Sequence, residues 1–338
     1  MTPGRKFTWA AAIALVITGL LLGSCEARTG NRVQAPPADH AGDAGTEAPY
    51  VGKVPLVAGE RLKVVATTSM IGDVVNVVGG EAIQLSTLMP RGQNPHAYDP
   101  PPSAFRTLER ADLIFVNGFG LESGMLDTIA SVATGVVVPI SAGVPVQEES
   151  ADQHGHGEIN PHVWMDPNNV RMWVDNTVEV LSRADPGNAA VYASNGSAYA
   201  ARLTELDTLI RDGVAGIPVK RRRIVVDHES VSYFARAYGF QIIGAVVPGT
   251  TDSAEPSPSE VAQLVDLIQR EGVRTIFVGA TTSRGLQALS TAIATEAGGD
   301  VRLITILTGS LAPKGQPGDT YLGFMQYNLA QILSGLQE

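Results

Sequence analysis

Short β-branched segments alternate with helical segments along most of this chain, and no other sequence feature limits the possible folds as strongly. The first such segment, Leu62-Lys63-Val64-Val65-Ala66-Thr67, is typical of a buried strand. A helix over 70–78 follows, with Ser69 as its predicted N-cap and Gly79-Gly80 as its end. Alternation of strand and helix predicts a mainly parallel sheet flanked by helices, which is the α/β fold class.

The alternating pattern occurs twice, and we expect each occurrence to form one lobe with its own core. The predicted strands are 62–67, 82–88, 113–116 and 136–140 in the N-terminal lobe, and 223–226, 241–247, 275–278 and 301–306 in the C-terminal lobe. The predicted helices are 70–78, 103–110, 125–132, 231–238, 259–270, 286–296 and 321–336. We assign the two lobes to residues 61–184 and 214–338.

A long helical segment separates the two lobes. Asp185-Pro186 is a typical helix start, with Asp as the cap and Pro at the first position. Large side chains then recur at mostly three- and four-residue steps: Tyr192, Tyr199, Leu203, Leu206 and Ile210. A continuous helix over 185–213 would be roughly 40 Å long at ~1.5 Å per residue. That length would let it run the height of the protein and join the two lobes.

The N-terminus has the features of a bacterial export signal, which we assign to residues 1–24. Arg5 and Lys6 precede a mostly apolar run that ends in Leu22-Gly23-Ser24-Cys25. This spacing resembles the lipobox, in which the cysteine is acylated and becomes the mature N-terminus. The alternative is an uncleaved membrane helix, but about 16 apolar residues fall short of the about 20 that a span needs. We therefore expect an extracytoplasmic protein, anchored to the cell membrane through a lipid on Cys25.

Composition limits the other possible partners. Residues 25–60 are rich in Ala, Gly, Pro and Asp, and we expect them to form a flexible tether. Cys25 is the only cysteine, so no internal disulfide can stabilise the fold. The formal net charge is −10, and removal of residues 1–24, which carry +2, leaves −12. Such an acidic chain is unsuited to binding nucleic acid or to holding a membrane through a polybasic patch.

Three of the six histidines occur in settings that suit metal binding: Asn94-Pro95-His96, Asn160-Pro161-His162 and Asp227-His228-Glu229. Three neutral imidazoles meeting in a cleft would form a site for a borderline transition metal, zinc above all. His96 and His228 each follow a predicted strand, and open α/β sheets bind ligands beyond the carboxyl ends of their strands. The sequence therefore predicts a Zn²⁺ site made by these three histidines.

Two aspartates follow these histidines closely enough to act on them. Asp99 and Asp166 lie three and four residues beyond His96 and His162. Each could accept a hydrogen bond from the imidazole nitrogen that faces away from the metal, and so fix the tautomer of the ring. Asp166 has a second possible role, because it precedes Pro167 as a helix cap would.

Together the motifs resemble those of the metal-specific solute-binding lipoproteins of bacterial ABC importers, which deliver zinc or manganese. The resemblance covers nearly all of residues 61–338. It rests on Asn94-Pro95-His96, on His162-Val163-Trp164-Met165-Asp166-Pro167, on Asp185-Pro186-Gly187-Asn188, on His228 with Tyr233-Phe234 and Tyr238-Gly239, on Glu255-Pro256-Ser257-Pro258, and on Tyr321 with Asn328. It implies two α/β lobes bridged by a rigid helix, with metal held between them by the three histidines.

The resemblance also implies a function, which is high-affinity metal binding and delivery to an ABC-type permease, without enzymatic activity. The third ligand position is commonly His in zinc-type members and Glu in manganese-type members. His228 therefore favours Zn²⁺ and leaves Mn²⁺ as the alternative. His154 and His156 resemble the His-containing loops of zinc-type relatives; they form either an accessory metal-capturing loop or a polar loop with no role. We expect the protein to be a monomer.

The chain departs from the family pattern at the fourth ligand. The family usually has an aspartate in an Asp-Ser pair, where this chain has Gly309-Ser310. A carboxylate that often follows the preceding Phe-Val strand is replaced by Gly279. The fourth ligand would then be water, an anion, or a carboxylate from elsewhere, such as Asp252 or Glu255.

Two further functions compete with transport. Three histidines with an open fourth position can also hold the activated water of a zinc hydrolase or hydratase. The chain has no His-Glu-x-x-His pair, however, and its resemblance to the transport proteins extends over both lobes. The other alternative is a surface adhesin, because an acylated binding protein displays broad faces.

Overall fold

The computed structural model describes residues 52–56, 59–147, 159–251, 254–298 and 300–336. Its strands are β1 Leu62–Ala66, β2 Ile83–Thr87, β3 Leu113–Val116, β4 Val136–Pro139, β5 Arg223–Val226, β6 Gln241–Ala245, β7 Thr275–Gly279 and β8 Arg302–Ile306. Its α-helices are α1 Ser69–Gly79, α2 Pro102–Glu109, α3 Ser123–Val132, α4 Pro167–Ala184, α5 Ala189–Ala215, α6 Ser232–Tyr238, α7 Pro258–Glu271, α8 Arg284–Ala297 and α9 Tyr321–Leu336.

The strands form two four-stranded parallel sheets of the same design. The first has the order β2-β1-β3-β4, and the second has the order β6-β5-β7-β8. Every strand pair is parallel, and each connection between consecutive strands of a sheet contains at least one helix. This confirms the predicted α/β fold class. The carboxyl ends of β2 and β5 lead directly into the segments that carry His96 and His228.

The long linking helix is α5, which contains 27 residues and is therefore about 40 Å long. The five large side chains expected on its inner face are all buried: Tyr192, Tyr199, Leu203, Leu206 and Ile210. The helix packs against α1 and α4 of the N-terminal half and against α6 and α9 of the C-terminal half. One hydrophobic core follows it through both halves of the structure, whereas two smaller cores lie under α2 and α3 and under α7 and α8.

The starts of α2, α3, α6, α7 and α8 differ from the predicted residues by one or two positions. Three further differences, at α1, α5 and α4, concern the cap or the presence of the helix. Thr68, not Ser69, caps α1, since its side-chain oxygen accepts the backbone N–H of Ile71 at 3.3 Å. Ser69 is unavailable because its hydroxyl contacts Ser310, which lies 241 residues later.

The second difference is at α5, which begins three residues later than predicted because Pro186–Asn188 form a 3-10 turn. Asp185 makes no backbone cap there; its carboxylate accepts hydrogen bonds from Asn188 Nδ2 at 2.6 Å and Tyr192 OH at 2.9 Å. The third difference is α4, an 18-residue helix of which the sequence prediction contained only the possible cap, Asp166. Its apolar face is buried against α5, so α4 is part of the core.

Several predicted features lie outside the described residues. They are the signal segment 1–24, Cys25, most of the tether, His154, His156 and Asp252. In the part of the chain that the structure describes, none of the helices combines the length and the apolar character that crossing a membrane requires.

The contact between α4 and α5 depends on Gly196, and substitution tests this packing. A Cβ at this position would lie 2.4 Å from Val178 Cγ2, and Val has no flexible end that could move away. We expect Gly196→Ala to lower the free energy of unfolding by about 1–3 kcal/mol through overpacking, although Ala in place of Gly normally stabilises a helix by ~1 kcal/mol. Chemical denaturation measures the difference.

Two further variants make this prediction specific. Gly124→Ala, in α3, is the control, because among the described residues no atom outside the adjoining helix backbone lies within 4 Å of the added Cβ. It should cause no loss of stability. Adding Val178→Ala to Gly196→Ala should recover part of the loss, since the smaller side chain removes the clash. Strictly additive effects of the two substitutions would contradict the close contact.

Candidate metal centre

The structure brings together the three histidines that sequence analysis selected. His96 lies in the segment between β2 and α2, His162 lies just before α4, and His228 is the second residue after β5. One potential ligand nitrogen from each ring lies within 4.8 Å of the other two. Among the described residues, no other group of His, Cys, Asp or Glu side chains has this spacing.

The rings converge closely. His96 Nε2 and His162 Nε2 are 3.1 Å apart. The ring centroids are separated by 5.1 Å for His96 and His162, 5.3 Å for His162 and His228, and 5.9 Å for His96 and His228. His162 and His228 are buried, while His96 is half-buried, so solvent reaches the cluster from the His96 side.

Asn160 fixes the tautomer of His162. Its Nδ2 donates to the carbonyl oxygen of Glu229 at 2.7 Å, which identifies Oδ1 as the acceptor in this amide. Oδ1 lies 2.9 Å from His162 Nδ1 and also accepts the backbone N–H of His162 at 3.0 Å. The Nδ1 of His162 must therefore carry the hydrogen, and the lone pair on Nε2 faces the other rings.

Asp227 has the same role for His228. Its Oδ1 lies 3.0 Å from His228 Nδ1 and 2.8 Å from the backbone nitrogen of His228. Its Oδ2 accepts the backbone N–H of Gly279 at 2.8 Å and a short hydrogen bond from the Thr282 hydroxyl. A carboxylate can only accept, so His228 Nδ1 carries its hydrogen and Nε2 is left for a metal.

The electrostatic environment favours the neutral form of His162. Burial, followed by the neighbouring charges of protonated His96 and His228, lowers the pKa of His162 well below its ordinary value. Burial alone would raise the pKa of Asp227, but hydrogen bonds and charge from His228, with hydrogen bonds from Thr282 and Gly279, lower it. A neutral imidazole is the form of histidine that binds borderline metals such as zinc.

The two Asn-Pro-His motifs form the same turn. The side-chain oxygen of Asn94 accepts the backbone N–H of His96 at 3.0 Å, as Asn160 does for His162 at the same distance. An asparagine that bonds the backbone two residues ahead is a recognised turn, and proline at the middle position restricts it further. The repeated motif was the sequence signal that could have identified Asn160 as the residue that orients His162.

The predicted outer partners have different positions. The structure gives the role expected of Asp166 to Asn160, and Asp166 instead caps α4 by accepting the backbone N–H of Asn168 at 2.8 Å. Burial raises the pKa of the Asp166 carboxyl, and the hydrogen bonds that it accepts from Asn168 offset only part of this rise. Asp99 is exposed, and its action on His96 stays a prediction.

The position of the expected fourth ligand is closed to a side chain. A Cβ on Gly309 would lie 2.6 Å from Pro95 Cδ, next to His96. A Cβ on Gly279 would lie 2.5 Å from the Thr308 hydroxyl. Glu255 is exposed, Asp252 lies outside the described residues, and no carboxylate among the described residues completes the histidine cluster.

Replacing Asp227 and Asp166 separately by Asn tests which aspartate orients a histidine of the cluster. Asp227→Asn removes the negative charge behind His228, and we expect zinc affinity to fall by about 10–100-fold. Asp166→Asn is the matched control, because Asn also caps helices well and Asp166 does not hydrogen-bond His162. Competition with a chromophoric chelator measures both affinities. Equal losses in the two variants would contradict the assignment.

The lowered pKa of His162 predicts a pH dependence of the metal-free protein. Unfolding exposes the ring, so the unfolded chain binds a proton more tightly than the folded chain. The contribution of His162 to stability should be complete above about pH 6.5, the ordinary histidine pKa, and should decrease as the pH falls below it. The slope for one proton is about 1.4 kcal/mol per pH unit.

The measurement compares denaturant unfolding of the metal-free protein and of His162→Gln between pH 7.5 and pH 5. Gln does not titrate, so the variant should lose less stability than the wild-type protein over this interval. Identical pH dependence in the two proteins would show that His162 titrates normally in the folded state.

The chain is similar to a known protein family and to several characterised proteins. Residues 64–335 match the family described as "Zinc-uptake complex component A periplasmic" (ZnuA). A manganese-binding lipoprotein, MntA, of Halalkalibacterium halodurans is 30% identical over 283 residues, covering 83% of this chain and 90% of that relative. The manganese ABC transporter substrate-binding lipoprotein PsaA of Streptococcus pneumoniae is 32% identical over 296 residues, covering 84% of this chain and 92% of PsaA.

A solved structure has the same fold. The periplasmic zinc binding protein TroA from Treponema pallidum superposes with a TM-score of 0.74 at 29% identity, covering 82% of this chain and 99% of that one. The family match spans both sheets, the linking helix and all three histidines. This chain belongs to the ZnuA family.

Proposed function

We propose that this protein binds Zn²⁺ through His96, His162 and His228 and delivers it to an ABC-type metal permease. The observation that carries the proposal is the convergence of three imidazoles, two of which have their Nδ1 hydrogen engaged by Asn160 or Asp227. Each of these two rings therefore offers an Nε2 lone pair at the cluster. The metal is the substrate that the protein carries.

Zinc suits this donor set better than manganese does. Imidazole nitrogen is a good ligand for zinc, whereas manganese prefers oxygen ligands such as carboxylates and water. In the described residues the cluster contains three nitrogens and no carboxylate oxygen. Manganese remains the second candidate because MntA and PsaA are named for manganese, while TroA is described as a zinc binding protein.

We propose that the fourth coordination position is taken from outside the three histidines. Gly309 offers no side chain, and the close approach of Pro95 supports an exogenous ligand, water or a small anion, at this position. Asp252 is the alternative protein ligand, and Glu255 is a weaker one because it is exposed. Residues 147–160, with His154 and His156, are proposed as an accessory loop that captures metal.

The remaining parts of the proposal concern location and organisation. Residues 1–24 would be removed as a signal peptide, and a lipid on Cys25 would anchor the mature protein outside the cytoplasmic membrane. A tether over 25–60 would then lead to lobes at 61–184 and 214–338, joined by the helix assigned to 185–213. MntA and PsaA, both named as lipoproteins, support this arrangement. We propose a monomer that carries metal and has no enzymatic activity of its own.

Calorimetric titration with Zn²⁺ and Mn²⁺ tests this function. The wild-type protein should bind one zinc ion tightly and manganese much more weakly. His228→Ala should weaken zinc binding by at least about 100-fold, since it removes a ligand rather than an outer partner. His40→Ala, in the predicted tether, is the control and should leave the affinity unchanged. Unchanged zinc affinity of His228→Ala would remove the third ligand, and tighter binding of manganese would favour the second candidate.

A further inference from the structure

The segment that carries His96 is held partly by its own half of the structure, where Leu88, Met89 and Tyr98 pack in the core under α2 and α3. It runs from residue 88 to residue 101 between β2 and α2 and contains neither strand nor helix. Its first two residues continue the sheet, since Leu88 N and Met89 N donate to Ala66 O and Thr67 O at 2.8 and 3.0 Å. Tyr98 OH returns to Leu88 O at 3.1 Å, which is a contact within the segment itself.

Arg91 connects this segment to the C-terminal half. Its Nη1 donates to the carbonyl oxygen of Ala312 at 3.1 Å and forms a short hydrogen bond with the carbonyl oxygen of Asp319. Both carbonyls belong to the 307–320 segment, which joins β8 to α9. Arg91 is half-buried, and hydrogen bonds from a charged donor are stronger than those between neutral groups.

Ser310 makes a second connection one residue further along. Its hydroxyl oxygen accepts the backbone N–H of Gly92 at 2.7 Å and lies 3.1 Å from the Ser69 hydroxyl at the start of α1. Ser69 in turn accepts the backbone N–H of Leu311 at 3.0 Å. Ser69 and Ser310 are both buried, so water cannot easily replace these bonds.

Gly309 makes the third connection, and it lies closest to the histidine. Pro95, the residue before His96, is buried and packs where a Cβ of Gly309 would be. Arg91, Gly92 and Pro95 therefore all rest on the 307–320 segment. The hydrogen bonds of Arg91, Gly92 and Ser69 to this segment all join the N-terminal half of the chain to the C-terminal half.

We infer that Arg91 and Ser310 are positioning residues for His96, holding it through the 307–320 segment where its Nε2 can share an ion with His162 and His228. The inference rests on the proposed function, since it assigns how one ligand of that site is held. The ligand from the N-terminal half is thus placed by the C-terminal half.

Rates of zinc release test the inference. Arg91→Ala and Ser310→Ala are loaded with zinc and mixed with excess chelator in a stopped-flow instrument, and we expect release to be about tenfold faster than from the wild-type protein, the lower end of the effect of outer partners. Arg222→Ala is the matched control, because Arg222 also donates to two carbonyl oxygens, those of Ile217 and Tyr238, away from the site. Ser290→Ala is the control for Ser310, as its buried hydroxyl bonds only Leu286 O within α8.

A double-mutant cycle separates positioning from general stability. If Arg91 acts through His96, Arg91→Ala should change zinc affinity about tenfold in the wild-type protein and have no effect in the His96→Ala background. X-ray absorption of the zinc-loaded Arg91→Ala protein should show fewer than three imidazoles per ion. Should Arg91→Ala fail to fold, Arg91→Lys and Ser310→Ala provide the same cycle.

The outcomes that overturn the inference are distinct from failure of the proposed function. The same loss of affinity in both backgrounds, or unchanged release with three imidazoles retained, would make Arg91 a purely structural residue. Equally fast release of zinc from the Arg222→Ala control would also show that the effect of Arg91→Ala is a general loss of stability. If the wild-type protein itself bound no zinc, the proposed function would fail before the positioning role was reached.

Discussion

Holding three imidazole rings close together, with the Nε2 lone pairs of His162 and His228 left for an ion, is the physical constraint on which this structure depends. The arrangement removes the His162 and His228 rings from water and brings His96 Nε2 to 3.1 Å from His162 Nε2. Burying polar atoms in this way costs free energy. Hydrogen bonds on the far side of the rings offset part of this cost. Asn160 is central because it orients His162 and donates to Glu229 O, the carbonyl next to His228. One amide thereby connects ligands from both halves of the chain.

The architecture around the site limits how its ligands can move. The helix α5 packs on helices of both halves, and a single core runs alongside it from β1 to α9. Close-packed cores have discrete arrangements and do not deform continuously. Wide separation of the two sheets would break this core, whereas displacement of the loops carrying His96 and His228 would not. We therefore expect any movement of the three histidines to occur in the loops at the carboxyl ends of the strands.

Elements governed by local sequence were predicted closely. The strands at Leu113–Val116 and Arg223–Val226 have the predicted bounds, because each is a compact β-branched or aromatic run next to a turn. The strand pattern predicted only that His96 and His228 each lie near the carboxyl end of a strand, because these strands belong to different sheets. That the three histidines meet was implied by the resemblance to the metal-binding lipoproteins. A missed local signal lies at α7, where Ser257 and Glu260 form a reciprocal cap that moves the start to Pro258.

Features that depend on distant residues could not be predicted. Thr68 and Ser69 are equivalent candidates for the cap of α1, and only the contact of Ser69 with Ser310 decides between them. Asp166 was a reasonable candidate partner for His162, because carboxylates commonly accept hydrogen bonds from metal-binding histidines. In the structure the amide oxygen of Asn160 occupies this position beside His162 Nδ1. The support of the His96 segment by residues 309–319 joins positions more than 200 residues apart, which no local pattern records.

The unequal burial of the ligands gives the site a direction. Two rings lie beneath the surface and the third, His96, is half open to solvent. An ion that binds the three rings as proposed would meet His96 first when it arrives from solvent. Under the proposed function, binding and release would therefore both take place from the His96 side of the cluster.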